Sequence, residues 1–259
     1  MLAKLILYSL LTQFNLHPPN ILLSASVSIA GMSVAFPLGV GLALVLGVFI
    51  NYFTHPKGDP IWLFTGVVLI VIAIICNGMA ASRKQKKDKK ASRKGIGLAV
   101  ISGLLMSFFY RFVASAMDLD HFESPTPGMA TPYTAFLIFA IGIFLSNLVF
   151  NTIIMKHPFI GTSVSYKEYF MGKPLTHLVG VWGGCIWGLG TALSYIAAGK
   201  AGPAVSYALG QGAPMIAALW GVFVWKEFGN ASKSTHYLLV AMFGLFVAGL
   251  SLIVYSGGN

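Results

Sequence analysis

Charged side chains are scarce in this sequence, and their scarcity excludes most soluble folds. Only 9% of the 259 residues are charged, whereas 56% are hydrophobic. A typical soluble domain has about a quarter of its residues charged. The mean hydropathy is +0.79. A globule of this size in water could not bury so much apolar surface, so lipid must be its solvent. The composition predicts an integral membrane protein that has the lipid bilayer as a partner.

Acidic residues are fewer still. The chain contains seven Asp and Glu residues, all at the ends of apolar segments or between them. A carboxylate inside a span is the usual proton relay of a pump, so proton coupling is not predicted. The sequence also lacks an H-E-x-x-H or Cys/His spacing typical of a metal site, and it lacks a nucleophile paired with a base. We therefore expect no enzyme activity, no catalytic residue, no metal and no cofactor.

Basic residues are concentrated in one place. Eight of the seventeen Lys and Arg lie between Arg83 and Lys94, without interleaved aromatic residues, so we do not expect nucleic-acid binding. In alternate loops, Lys and Arg number thirteen on one side against two on the other. This bias predicts that loop 83–94 is cytoplasmic and that the C-terminus lies outside. The expected location is the cell (inner or plasma) membrane.

Long apolar segments define the fold class. A span needs about twenty mostly apolar residues. Seven segments meet this length: 33–53, 60–82, 95–118, 132–155, 174–198, 203–225 and 236–256. An eighth segment, 2–30, is interrupted by Pro18 and Pro19 and is predicted to be one Pro-kinked helix; a signal peptide is the alternative. We expect an all-α polytopic bundle of about eight transmembrane helices.

An internal repeat divides the chain. Residues 30–41 match residues 201–212 in the pattern A-G-x-x-V-[AS]-[FY]-x-L-G-x-G, and 47–49 match 221–223 after a three-residue insertion. The second copy is the fifth span after the first, so the two copies are predicted to cross the membrane in opposite directions. Chance similarity between Gly-rich helices is the alternative.

The repeat also predicts the domain organisation. Residues 1–82 form an incomplete N-terminal repeat of about three helices, 83–94 the basic loop, and 95–259 a five-helix C-terminal repeat. A five-helix repeat predicts ten spans in a complete protein, so this chain is expected to lack the first two.

Several motifs carry a family resemblance. They are Thr131–Phe136, Trp182–Thr191, Tyr207–Gln211 and the W-G-V-F-V-W-K-E-F stretch at Trp220–Phe228. With these motifs the chain resembles the ureide permease family and the related glucose/ribose porters of the drug/metabolite transporter (EamA-like) superfamily. The resemblance implies ten helices in two halves and transport of small polar molecules such as allantoin, nucleobases or sugars. Plant ureide permeases are described with a G-x-x-x-x-G-K-[ST] stretch in the central loop; loop 83–94 lacks it, so nothing indicates use of ATP.

Uncharged polar and aromatic residues are the candidates for solute binding. Trp187, Thr191 and Tyr195 recur at every fourth position and therefore share one helix face. Tyr207 and Gln211 share a face of the next helix, where Gly-Gln-Gly and a proline loosen the backbone. Such interruptions free backbone groups near the middle of the membrane.

Three more residues complete this candidate set. Phe36 is the repeat partner of Tyr207, which places two rings to stack on either side of a planar solute. Asn20 and Asn147 add polar groups on other helices, and the amide of Gln211 both donates and accepts. The alternative is that all of these make interhelical hydrogen bonds or core contacts, with Gly184-x-x-x-Gly188 used for close packing.

Two charged residues are candidates for gating. Glu227 follows Lys226 at a helix end, where it closes the helix as an interfacial ion pair or acts in a gate. Arg111 lies close enough to the end of its helix to reach the surface by snorkelling; a contact in the solute path is the alternative.

These features predict a secondary transporter of a small polar solute that works by alternating access between inverted halves. The alternative is a non-transporting truncated membrane protein, or a subunit that requires another chain. A homo-oligomer stays open.

Overall fold

The computed structural model describes residues 18–84, 89–122 and 124–258. These residues form helices and no strand, apart from an isolated bridge between Met117 and Ala130. The helices are α1 (18–30), α2 (Met32–Thr54), α3 (Pro60–Lys84), α4 (Lys89–Met106), α5 (Phe109–Ala116), α6 (Pro132–Lys156), α7 (Tyr166–Phe170), α8 (Pro174–Gly210), α9 (Ala213–Leu219), a π-helical turn (Trp220–Val224) and α10 (Lys233–Gly257).

Six stretches of this described chain are long and apolar enough to cross a membrane. They are Met32–Thr54, Pro60–Ala80, Arg93–Ala116, Pro132–Lys156, Pro174–Val224 and Lys233–Gly257. The predicted number was eight. One difference is that the 51 residues of Pro174–Val224 count as one stretch, although they contain the two predicted segments 174–198 and 203–225. The other is that most of the predicted kinked helix 2–30 lies outside the described residues, which include only its last part, α1.

Two glycines make the same unusual turn at the start of the two repeat copies. Gly31, between α1 and α2, has φ 87° and ψ 157°. Gly202, inside α8, has φ 79° and ψ 159° and separates two helical segments. This left-handed backbone is readily accessible only to glycine. The repeated Ala-Gly pair therefore has one structural meaning in both copies, which is a turn into a new helix.

α2 and residues 203–224 pack against each other as antiparallel helices. A Cβ atom on Gly221 would lie 3.1 Å from Cβ of Ser33 near the start of α2, and one on Gly47 would lie 2.0 Å from Cε1 of Tyr207. The hydroxyl of Tyr207 donates to the carbonyl of Ala43 at 3.0 Å. The start of one copy thus lies beside the end of the other. Gly47 is needed because any side chain there would collide with the buried tyrosine ring.

Two predicted spans are broken, and one of the breaks falls where the sequence suggested a loose backbone. Gln211 and Gly212 form a turn between α8 and α9, and Pro214 lies in the first turn of α9. Proline is well tolerated there because the first N–H groups of a helix have no intrahelical acceptor. The predicted segment 95–118 is also broken, by a turn at Ser107 and Phe108 between α4 and α5.

Glycines of neighbouring helices meet between α3 and α10 and between α2 and α4, and not at Gly184 or Gly188 of α8. A Cβ on Gly66 would lie 2.5 Å from the carbonyl oxygen of Gly249, so these two backbones are in contact. A Cβ on Gly184 would meet nothing within 4 Å among the described residues, and one on Gly188 would meet only the ring of Phe136, at 3.7 Å. The sequence-based alternative of tight packing through Gly184 is therefore not found in this part of the chain.

Candidate functional site

A cavity of about 890 Å³ lies where α1, α2, the α4–α5 break and both segments of α8 meet. We call it the central cavity. Its size is typical of small-molecule sites. Six of the seven predicted solute-binding residues line it: Asn20, Phe36, Trp187, Thr191, Tyr207 and Gln211. The fold therefore brings together, in one cavity, side chains that the repeat and the four-residue spacing singled out and that are distant in sequence.

The seventh candidate, Asn147, lies elsewhere. It is half-buried on α6 and is not among the residues that line the central cavity. The gating candidate Arg111 is exposed and is also absent from the lining. The predicted contact of Arg111 in the solute path thus has no counterpart in this cavity.

Aromatic rings form much of the cavity wall. Tyr207 packs edge-on against Tyr110, with ring centroids 5.4 Å apart, and lies 5.9 Å from the ring of Phe109. Trp187 lies 5.9 Å from Phe139. Such rings offer flat apolar surfaces to a planar or ring-shaped solute.

Tyr207 has a structural as well as a lining role. Its hydroxyl donates to the carbonyl of Ala43 at 3.0 Å and approaches that of Met106 at 3.4 Å. Its ring, rather than its hydroxyl, is therefore the part that a solute would meet. Phe36, its repeat partner, is partly buried and lines the same cavity.

Three polar side chains of the lining, those of Tyr195, Ser206 and Gln211, have hydrogen-bonding capacity that no other described residue uses. The hydroxyl of Tyr195 is buried and has no hydrogen-bond partner among the residues that the structure describes. Gln211 is 8% exposed; its backbone N–H donates to the carbonyls of Tyr207 and Ala208, and no hydrogen bond among the described residues uses its side-chain amide. An unpaired buried polar group costs free energy that a bound partner would recover. Unused hydrogen-bonding capacity in the wall of the central cavity is thus concentrated at these side chains.

A second polar group of the lining is already occupied by protein contacts. The hydroxyl of Tyr110 donates to the carbonyl of Ser194 at 2.9 Å, and the Ser194 hydroxyl donates to the carbonyl of Ser206 at 3.0 Å. These two hydrogen bonds connect α5 to both segments of α8. Sequence analysis missed these residues because serines and tyrosines without a helical spacing carry no distinguishing signal.

Glu227 binds the N-terminus of α2. The backbone N–H of Met32 donates to Oε1 of Glu227 at 3.2 Å, and the hydroxyl of Ser33 donates to Oε2. The carbonyl of Ser33 in turn accepts from Nδ2 of Asn77 at 2.8 Å. A carboxylate is favoured at this position because the N-terminus of a helix carries unsatisfied N–H groups and partial positive charge. Glu227 thus ties the end of the second repeat copy to the start of the first.

The opposite end of α2 has a matching contact with a cation. Nζ of Lys57 donates to the carbonyl of Gly199 at 2.5 Å, just before the Gly202 turn. The loop after α5 also reaches Gly199, where the ring of Phe122 lies 2.7 Å from the position of a Cβ atom. Sequence analysis did not single out Lys57, because a lone loop lysine has many possible partners.

That loop is held by one carboxylate. The backbone N–H of Thr126 donates to Oδ2 of Asp118 at 2.9 Å, and the Thr126 hydroxyl donates to the same atom at 3.0 Å. The backbone hydrogen bond from Thr126 is the main reason that the pKa of Asp118 lies well below its usual range.

Comparison with known proteins agrees with this architecture. The model of the ureide permease family matches residues 82–256. The chain belongs to the ureide permease family. Membership in a permease family indicates a membrane transporter rather than an enzyme.

Individual relatives of this ureide permease family member are distant. Ureide permease 4 of Arabidopsis thaliana is 28% identical over 181 residues, which are 66% of this chain and 45% of that protein. Ureide permease 2 of the same plant is 24% identical over 90% of this chain and 73% of its own length. The probable glucose uptake protein GlcU of Priestia megaterium is 25% identical over 90% of this chain and 70% of its own. No solved structure matches the chain.

Proposed function

We propose that this chain is a secondary transporter that carries a small polar solute, such as a ureide, a nucleobase or a sugar, through the central cavity. The observation that carries the proposal is the position of the cavity where the antiparallel repeat copies meet. Sites between inverted halves are typical of secondary transporters. The names of the relatives, ureide permeases and a probable glucose uptake protein, support this class of solute.

Alternating access between two inverted halves is the mechanism that we propose. The similar backbone angles at Gly31 and Gly202 support a common origin of the two halves, and so does the antiparallel packing of α2 against residues 203–224. The broader membership in the drug/metabolite transporter superfamily, with ten helices in a complete protein, belongs to the same proposal.

The two end contacts of α2 are candidates for gates in this mechanism. α2 contains 23 residues, so Glu227 and Lys57 lie roughly 35 Å apart, at 1.5 Å of rise per residue. Each joins parts of the two repeat copies at one end of the cavity. A rocking motion has to break or shift at least one of them. We place the protein in the cell membrane, with loop 83–94 in the cytoplasm as the positive-inside bias predicts. Lys57 and the Phe122 loop then lie on the exterior side.

The solute itself would be held by rings and by a few polar groups. The rings of Trp187 and Tyr207 provide apolar surfaces, while the amide of Gln211 and the hydroxyl of Tyr195 provide donors and acceptors. This combination suits a compact solute with both ring faces and polar edges.

Uptake of radiolabelled allantoin, uracil and glucose into cells that express the chain tests the proposal. We expect uptake of at least one solute, and its loss in Gln211→Leu. Asn147→Leu is the matched control, since it replaces another membrane amide outside the cavity and should retain uptake. Accumulation of none of the three above the level of cells without the chain would contradict the proposed solutes and would favour a non-transporting subunit.

A further inference from the structure

A second, smaller cavity adjoins the central one. Its volume is about 390 Å³, and it lies between α1, α6 and the loop after α6. Its polar lining consists of Asn20, Ser24, Ser28 and Asn151. Asn20 and Ser24 line the central cavity as well. The two cavities therefore share a wall, and we call the smaller one the α1–α6 groove.

Three of the four polar residues of α1 form one row. Asn20, Ser24 and Ser28 are four residues apart, so they lie on the same helix face, about 6 Å from one to the next. The opposite face of α1 is fixed to α4, since the hydroxyl of Ser26 donates to the carbonyl of Gly95 and that of Ser102 donates to the carbonyl of Pro19, both at 2.7 Å. These hydrogen bonds fix the rotation of α1 so that its polar row faces the groove.

The row presents hydrogen-bond acceptors. The hydroxyl of Ser24 donates to the carbonyl of Asn20 at 2.9 Å, and that of Ser28 donates to the carbonyl of Ser24 at 3.1 Å. Because each hydroxyl hydrogen is used within the helix, each oxygen keeps lone pairs that can accept from a solute or from water. A solute rich in N–H or O–H groups would therefore find a partner at each turn of α1.

The groove leads toward one side of the membrane. Its outer rim is formed by Pro158, Phe159 and Ile160, directly after the end of α6. Nζ of Lys94 approaches the carbonyl of Phe159 at 3.4 Å. Lys94 is the last residue of the basic run. The rim therefore lies on the same side of the membrane as loop 83–94.

We propose that the α1–α6 groove is part of the solute path. It provides a second polar binding site between the central cavity and the side of the membrane on which loop 83–94 lies. The inference rests on the proposed transport function and goes beyond it, because it specifies the route. Solutes pass from Gln211 and Trp187 to the acceptor row Asn20–Ser24–Ser28 and leave beside Phe159.

Thiol accessibility tests whether the groove contains water. In a Cys76→Ala, Cys185→Ala background, Ser28→Cys is compared with Val149→Cys on α6, a side chain that is 58% exposed and lines neither cavity. Thiols react as thiolates, which need water, so we expect a charged, membrane-impermeant thiol reagent to modify Ser28→Cys at least tenfold faster, roughly, than Val149→Cys. Equal rates would overturn the proposal.

A blocking variant tests whether solute uses the groove. Ser28 lines the groove and does not line the central cavity, so Ser28→Leu should narrow the groove and slow uptake of the transported probe. Uptake at the parental rate by Ser28→Leu would refute the route. If the parent takes up none of the probes while Ser28→Cys still reacts rapidly, the transport proposal fails and with it the route, whereas the water-filled groove stands.

Discussion

Replacing Tyr195 by phenylalanine removes one oxygen atom from the central cavity and leaves the ring in place. The ring is 0% exposed and packs edge-on against Phe139, with centroids 5.8 Å apart, and against Tyr110 at 5.7 Å. These contacts should keep a phenylalanine in the same position. The variant therefore isolates the contribution of the hydroxyl.

The expected effects on stability and on solute binding have opposite signs. The hydroxyl of Tyr195 is buried without a partner among the described residues. A buried unsatisfied group costs about 1–3 kcal/mol, so Tyr195→Phe should leave the free energy of unfolding unchanged or raise it. If the hydroxyl bonds the solute, its loss should cost about 1 kcal/mol of binding, which is about fivefold in Kd.

Tyr110→Phe is the matched control, because it removes a hydroxyl from the same cavity wall that is already hydrogen-bonded. The hydroxyl of Tyr110 donates to the carbonyl of Ser194 at 2.9 Å. We expect this variant to lose about 1 kcal/mol of stability. Thermal unfolding of the two detergent-solubilised variants and the parent gives the first comparison, and the concentration dependence of solute uptake gives the second.

Two results would refute the reasoning. If Tyr195→Phe is destabilised as much as Tyr110→Phe, then the Tyr195 hydroxyl has a hydrogen-bond partner within the protein. If its stability is retained but its uptake curve coincides with that of the parent, then the hydroxyl does not contact the solute.

Three further perturbations test the contacts around the cavity. Gly47→Ala places a methyl group 2.0 Å from Cε1 of Tyr207, so overpacking should lower stability by about 1–3 kcal/mol. Combination with Tyr207→Ala should cost less than the sum of the two single changes; strict additivity would contradict the collision. Glu227→Gln removes the negative charge at the start of α2 and should lower the free energy of unfolding by about 1 kcal/mol. Thermal unfolding in a double-mutant cycle with Ser33→Ala measures this effect, and a coupling energy of zero between the two changes counts against the contact. The pKa of Asp118 is depressed in the folded protein, so its ionised form stabilises the fold above about pH 4 and this contribution is lost as the pH falls further. Asp118→Asn should therefore lower the thermal midpoint near neutral pH, by an amount that shrinks in acid, and a constant difference would argue against this role.

Part of the site could be predicted because periodicity and repetition are local properties of a sequence. The spacing of Trp187 and Thr191 places them on one face of α8, whatever that face meets. The repeat pairs Phe36 with Tyr207, and a shared position in two packed copies brings both to the same cavity.

Other residues could not be assigned in this way, since a helix pattern does not determine the rotation of the helix against its neighbours. Asn147 and Asn151 are one turn apart on α6, yet only Asn151 lines the groove. Nothing in the sequence indicates that Lys57 reaches Gly199, because that contact joins residues 142 positions apart. The sequence also contains no sign that the Tyr195 hydroxyl lacks a partner among the described residues, since hydrogen-bond satisfaction depends on every neighbouring group.

The sequence by itself determined that this is a helical membrane protein and that its helices break near Gly31 and Gly202. These properties follow from composition and from local backbone preferences, which act over a few residues. Only the tertiary structure decided that Glu227 binds the start of α2, that α1 turns its polar row away from α4, and that a central cavity remains where the repeat copies meet. These features depend on close contacts between distant segments, because the van der Waals and hydrogen-bonding forces that select them reach only a few ångströms.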